Sequence, residues 1–152
     1  DLGIFDNEIL AVAKSKGIIG LNIDQRVMSS SEYLAKVKKE TLIGTLDERK
    51  KQWSSIVFEN IKYIAEYLYS QSEAPFDTMC MGTDFDGAIN PINNFTEESA
   101  MPDLAKYLKI HLQDYLSDQN CPLKNINLSP DQIISKIMSE NALRFFERWF
   151  NR

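Results

Sequence analysis

The clearest periodicity in the chain runs from Asp47 to Ser70, where Trp53, Ile56, Val57, Ile61, Ile64 and Leu68 recur at helical spacing. Apolar side chains three and four residues apart share one helix face, so residues 47–70 predict a long amphipathic helix. Asp6 can cap a shorter helix with Ile9, Leu10 and Ala13 on its buried side, and Gly17 is a natural stop. Directly after it, Gly17-Ile18-Ile19-Gly20-Leu21-Asn22-Ile23 is short, apolar and rich in β-branched residues, which favours a buried strand. Phe76 to Thr83, with Met79, Cys80 and Met81 in its middle, predicts a second buried strand.

The later chain reads as helix. Pro102-Asp103 opens one with Leu104, Leu108, Leu112 and Tyr115 facing inward. Ser129-Pro130-Asp131-Gln132 combines an N-cap, a first-turn proline and a capping-box glutamine, followed by a buried stripe of Ile133, Ile134, Ile137 and Met138. Asn141 to Phe150 continues as helix, with Leu143, Phe146 and Phe150 available to cover an apolar face. Residues 28–48 predict an irregular connection with a short helix through Tyr33, Leu34 and Val37, broken at Gly44. Residues 71–75 are a polar loop. Residues 88–101 are a long one, rich in turn and cap chemistry, and a loop of that length after a strand is more often functional than idle. Helix, glycine, buried strand: the rhythm is that of an α/β chain.

With 152 residues, 43% hydrophobic and 26% charged, the chain has the balance of one globular domain. A formal charge of -5 and a pI near 4.9 argue against a sequence-blind grip on nucleic acid. The basic runs Lys36-Val37-Lys38-Lys39 and Arg49-Lys50-Lys51 are interleaved with Glu40, Asp47 and Glu48, as on a solvated surface. No stretch approaches the ~20 apolar residues of a membrane-spanning helix, and the first residues carry no signal-like apolar block. Cys80 and Cys121 are too few for a disulfide framework and read as buried or free thiols rather than a bridge. The compartment, cytoplasmic or periplasmic and secreted, stays open.

Chemistry concentrates in Met81-Gly82-Thr83-Asp84-Phe85-Asp86-Gly87. Ionised carboxylates are costly to bury, so two of them at the end of a buried strand are unusual. In α/β folds ligands bind at the C-terminal ends of parallel strands. A carboxylate there can accept a proton, ligate a metal or hold a cation. Strand alternation would put Asp84 and Asp86 on one side, although Gly87 suggests that the chain is already turning. The plain alternative is a turn at Asp86-Gly87 with Asp84 capping a loop amide. His111, the only histidine, has no His or Cys at metal-ligand spacing and reads as a boundary residue. There is no Walker loop, no GxGxxG and no GxSxG.

Gly82-Thr83-Asp84-Phe85-Asp86-Gly87 resembles the G-x-D-F-D-G signature of the membrane (renal-type) dipeptidase family, zinc-dependent peptidases of the amidohydrolase superfamily. Other segments fall in the family's order. Asp6-Asn7-Glu8-Ile9-Leu10 through Gly20-Leu21-Asn22 is similar to its first matched helix and strand, and Asn60 to Ile64 to the helix before the signature. Pro102-Asp103-Leu104 and Asn141-Ala142-Leu143-Arg144-Phe145-Phe146 resemble its "P-x-L" and "N-x-L-R-V-F" segments.

The resemblance implies a (β/α)8 barrel with two zinc ions at the strand ends, hydrolysing dipeptides with a metal-held hydroxide as nucleophile. It implies Asp84 as the catalytic proton shuttle, with Asn22 lining the same cavity on the substrate side and Asp86 shaping the turn there. The family's zinc ligands lie N-terminal to the matched part, so none is carried over. Leu2-Gly3 stands where its substrate-carboxylate arginine and the following Asn would be. A whole barrel needs ~250 residues. The chain is therefore expected to be a single C-terminal barrel segment, active only with a missing N-terminal portion that would cover many of its Ile, Leu and Phe side chains. A homodimer is compatible with this. Two other readings stand beside it: a non-catalytic barrel relative that binds a peptide or partner, and a structural α/β domain in which the signature is only a turn.

Overall fold

The computed structural model describes residues 3–150. Its organising element is the helix α3, Leu46–Ser70, one residue from the predicted start. Thr45 and Glu48 form a reciprocal capping box: the Thr45 amide donates to Glu48 Oε2 at 2.7 Å, and the Glu48 amide donates to Thr45 Oγ1 at 3.2 Å. The apolar stripe of α3 is buried along its length, with Ile61, Ile64, Ala65 and Leu68 wholly withdrawn from solvent. Against it pack α1 (Asp6–Lys14), α2 (Ser31–Glu40) and, most extensively, α4 (Met101–Ser117). Pairs such as Lys51–Asp114 at 3.1 Å and Lys106–Asp47 at 3.2 Å lace α3 to α4 at the surface. Exposed pairs of this kind add little stability, so the apolar seam holds the helices together.

Two strands, β1 (Ile19–Leu21) and β2 (Met79–Met81), pair in parallel with Ile19 opposite Met79, Gly20 opposite Cys80 and Leu21 opposite Met81. A parallel pair needs a crossover, and α2 and α3 supply it. The fold is thus mixed α/β and mostly helical, with a two-stranded parallel sheet. Both strands are shorter than the predicted 17–23 and 76–83. Local polar groups end them early: past Leu21 the Asn22 side chain takes the amide of Asp24, and past Met81 the backbone turns left-handed at Asp84.

The helix expected inside 28–48 is ten residues long, with Ser30 as its N-cap. The loop after β2 stays irregular as far as a short 3-10 turn, Glu98–Ala100, and touches the β1 end through one antiparallel bridge between Asp24 and Pro91. Ser129 caps α5 (Pro130–Ser135) as predicted. The chain then widens into a π turn, Lys136–Glu140, before α6 (Asn141–Phe150).

That widened turn packs on β2 and sets Asn141 against its backbone. The buried Asn141 carboxamide donates to the carbonyls of Phe76 and Met79, each at 2.7 Å. One turn further on, Arg144 Nη2 donates to the Asp77 carbonyl at 2.6 Å, while Nη1 meets the Asp77 carboxylate at 3.2 Å. Lys136 closes on the same carboxylate at 2.8 Å. Asn141 and Arg144, which the sequence marks only as family-like, are therefore a clamp on the strand that leads to the signature.

The apolar positions singled out in α3, α4 and α5, with Ile9 and Ala13 of α1, pack against one another within this chain. Leu143, Phe146 and Phe150 do not: they remain 60%, 58% and 68% exposed on α6. Cys80 and Cys121 are buried free thiols, and burial pushes the Cys80 pKa up. His111 lies half-buried, stacked on Phe58 with ring centroids 5.1 Å apart, its Nε2 3.0 Å from the Lys51 carbonyl. Burial lowers its pKa, so the neutral ring is favoured, donating from Nε2 to that carbonyl. Among the described residues, no helix is long and apolar enough to cross a membrane.

Replacing Asn141 with Ala should leave two buried carbonyls without their donor, at about 1–3 kcal/mol for each. Urea denaturation of the two proteins side by side measures this. Equal midpoints would mean that Asn141 does not clamp β2.

Candidate functional site

The signature turn leaves the C-terminal end of β2, at the end of the sheet where the β1 loop also departs. Gly82 carries the pairing one bond further, its amide donating to the Leu21 carbonyl at 3.0 Å. A Cβ on Gly82 would lie 3.1 Å from the Gly20 Cα, so a side chain at Gly82 would push the two strands apart by a few tenths of an ångström. Two residues on, Asp84 takes a left-handed backbone with φ of 57°. Aspartate is found in that region more often than most residues other than glycine. The Asp84 carbonyl accepts from the Gly87 amide at 2.9 Å, closing a turn over residues 84–87.

Gly87 has a spatial reason of its own. A Cβ there would sit 2.5 Å from Asp84 Oδ1, so glycine leaves room for the carboxylate to lie across the turn. It is the main-chain oxygen of Asp84 that closes this turn. Among the described residues, no hydrogen bond reaches the carboxylate of Asp84 or of Asp86, and both residues are exposed. The alternative in which Asp84 caps a loop amide is therefore not the observed geometry. Regular strand alternation does not extend to Asp84 and Asp86 either, because the ladder has already ended at Met81.

Asn22 is half-buried, and its Oδ1 accepts from the Asp24 amide at 2.6 Å. This is an Asx turn that bends the chain as it leaves β1. It presents Asp24, a residue that strand and motif reasoning passes over. Asp24 is buried, and its carboxylate accepts from the Arg26 amide at 2.8 Å, from Arg26 Nε at 2.9 Å and from the Asn90 amide at 3.2 Å. Arg26 Nη2 also contacts it, and donates in addition to the Ala88 carbonyl at 3.1 Å. The Arg26 guanidinium holds the Asp24 carboxyl far below the usual carboxylate range, against the opposing effect of burial.

Gln25 completes the tie between the two loops. Its amide donates to the Asn90 carbonyl at 2.9 Å and its side chain to the Pro91 carbonyl at 3.0 Å, while the Ile92 amide donates to Ile23 at 3.0 Å. The loop after β1 thus holds residues 88–92, immediately downstream of the Asp84 turn. The only sequence signal for this arrangement is Asn22-Ile23-Asp24-Gln25-Arg26 at the end of an apolar run: short polar side chains able to cap their own backbone.

Clefts of about 180, 640 and 520 Å³ open on the described surface, and none of these three is lined by Asn22, Asp84 or Asp86. The structure brings Asn22 and Asp84 to one end of the sheet. Among the described residues, no group of three or more His, Cys, Asp and Glu side chains could hold a metal ion. They do not form a zinc site of their own. Leu2, at the position compared with the family's arginine, lies outside the described residues.

Substituting Asp24 with Asn should lower stability at neutral pH. The folded carboxyl ionises below its unfolded value of ~3.9, so its contribution is full above that pH and fades as the pH falls further. The gap between the denaturant midpoints of the two proteins should therefore be constant near neutral pH, narrow measurably by ~pH 3 and close only as the pH falls through the depressed folded value. A gap that does not narrow as the pH falls would show that the Asp24 charge is not what stabilises the loop.

No family model, no curated protein and no solved structure matches this chain.

Proposed function

We propose that the chain is the C-terminal portion of a dipeptidase-like hydrolase barrel and that Asp84 is the proton-transferring carboxylate of that enzyme. One observation carries the reading: Asp84 stands on a tight turn at the C-terminal end of a parallel strand, with its carboxylate uncommitted among the described residues. The likeness of residues 82–87 to the dipeptidase signature supports it.

Hydrolysis of a peptide bond requires a group that takes a proton from the attacking water and returns one to the leaving amine. A carboxylate already held by amides or a guanidinium is poorly suited to that exchange, as Asp24 illustrates. The Asp84 carboxylate meets the first requirement because the fold leaves it available. Asn22 stands at the same sheet end, with its oxygen spent on the Asp24 amide and its amide nitrogen the group left to meet a dipeptide. The zinc ions implied by the resemblance would be held by residues outside this chain, with which this segment would be active.

A second reading has its own support. The exposed apolar face of α6, with Leu143, Phe146 and Phe150, suits a relative that binds a peptide or partner without hydrolysis. Stoichiometric zinc in the complete assembly favours the enzyme, and its lack favours the binding protein.

In the complete enzyme, Asp84→Asn should lower kcat for a dipeptide by about a hundredfold to ten-thousandfold while metal content stays constant. Turnover of the variant at the wild-type rate would remove Asp84 from the chemistry.

A further inference from the structure

At the opposite end of the sheet, where β1 and β2 begin, a cleft of about 180 Å³ is lined by Lys16, Glu73, Asp77, Thr78, Arg144 and Arg148, among others. Two of these are already satisfied: Asp77 is held by Lys136 and Arg144, and Arg144 also binds the Asp77 carbonyl and Asn141. Three charges are left. Lys16, Arg148 and Glu73 make no ion pair with any described residue.

Thr78 adds an independent pointer. It is 4% exposed, yet its hydroxyl makes no hydrogen bond to any described residue and it lines the cleft. No buried side-chain polar atom among the described residues lacks a partner, so this hydroxyl keeps access to solvent, and the cleft that Thr78 lines is the surface onto which it opens. The backbone that presents Lys16 is fixed by hydrogen bonds back to α1, the Lys16 amide donating to the Ala13 carbonyl at 3.0 Å and the Gly17 amide to the Val12 carbonyl at 2.9 Å.

We infer that this cleft binds a free α-amino acid with a small side chain. Arg148, Lys16 and the Thr78 hydroxyl form the donor side, suited to a carboxylate, and Glu73 is the acceptor side, suited to an ammonium. A simple oxyanion would satisfy the donors but face the Glu73 carboxylate. A simple amine would satisfy Glu73 but face two cations. Only a ligand carrying both signs answers both sides. The volume allows roughly six waters at ~30 Å³ each, which sets a small side chain. The inference is independent of the hydrolase reading, because the cleft lies at the end of the sheet away from Asp84.

The test is a titration of the isotope-labelled 152-residue chain with L-alanine, following backbone amide shifts. Saturable shifts should centre on Lys16, Gly17 and Thr78. Arg148→Gln and Glu73→Gln should each weaken alanine binding at least roughly tenfold. Acetate should bind more weakly than alanine, lose its shifts in Arg148→Gln and bind more tightly in Glu73→Gln, where the opposing carboxylate is gone. Should Arg148→Gln fail to fold, Lys16→Gln tests the same donor side. The inference is overturned by shifts that do not saturate or that centre elsewhere. It is equally overturned by acetate binding as tightly as alanine, or by any of these variants binding alanine like the wild type.

Discussion

A strand buried against a helix must find a donor for every carbonyl it withdraws from water, and the segment that leads into β2 finds several of its donors on side chains. With a single neighbouring strand of three residues, its ladder is too short to satisfy the backbone at its ends. Asn141 supplies the Phe76 and Met79 carbonyls and Arg144 supplies Asp77, while at the far end Gly82 bonds Leu21. The π turn at Lys136–Glu140 is the helical distortion that precedes this clamp. The clamp fixes where β2 begins and the Gly82 bond where it ends, and together they place the turn at Asp84.

Two aspartates near this exit show how surroundings divide the work. Asp24 is buried, surrounded by Arg26 and two backbone amides, and permanently ionised at neutral pH; its role is to join the β1 loop to residues 88–90. Asp84 sits on a left-handed corner with its carboxylate across Gly87, the one position in the turn where a side chain would displace it. One carboxylate holds the scaffold and the other is uncommitted among the described residues. A loop fastened just downstream and a strand fastened just upstream keep the second in a constant position, as the proposed proton transfer would require.

Elements governed by local rules were readable from sequence. The α3 stripe from Trp53 to Leu68, the Ser129 capping box and the two apolar runs carry their structure in residues a few positions apart. The strand lengths were not readable, because they depend on where Asn22 and Asp84 bend the chain. Asn141, Arg144 and Asp24 were hidden for a related reason: each acts on backbone atoms remote in sequence, a pairing that no periodicity encodes. The signature itself was visible as residue types. Its geometry, with the Asp84 carbonyl rather than its carboxylate closing the turn, was not.

Amide hydrogen exchange tests most directly whether the Asp84 turn is held between two fixed points. The account predicts slow exchange at Gly82, Gln25 and Ile92, approaching the protection of the α3 core, and fast exchange at Phe85 and Asp86 between them. Exchange at Gly82, Gln25 and Ile92 as rapid as in the turn would contradict it, since neither the strand nor the loop would then be fastened.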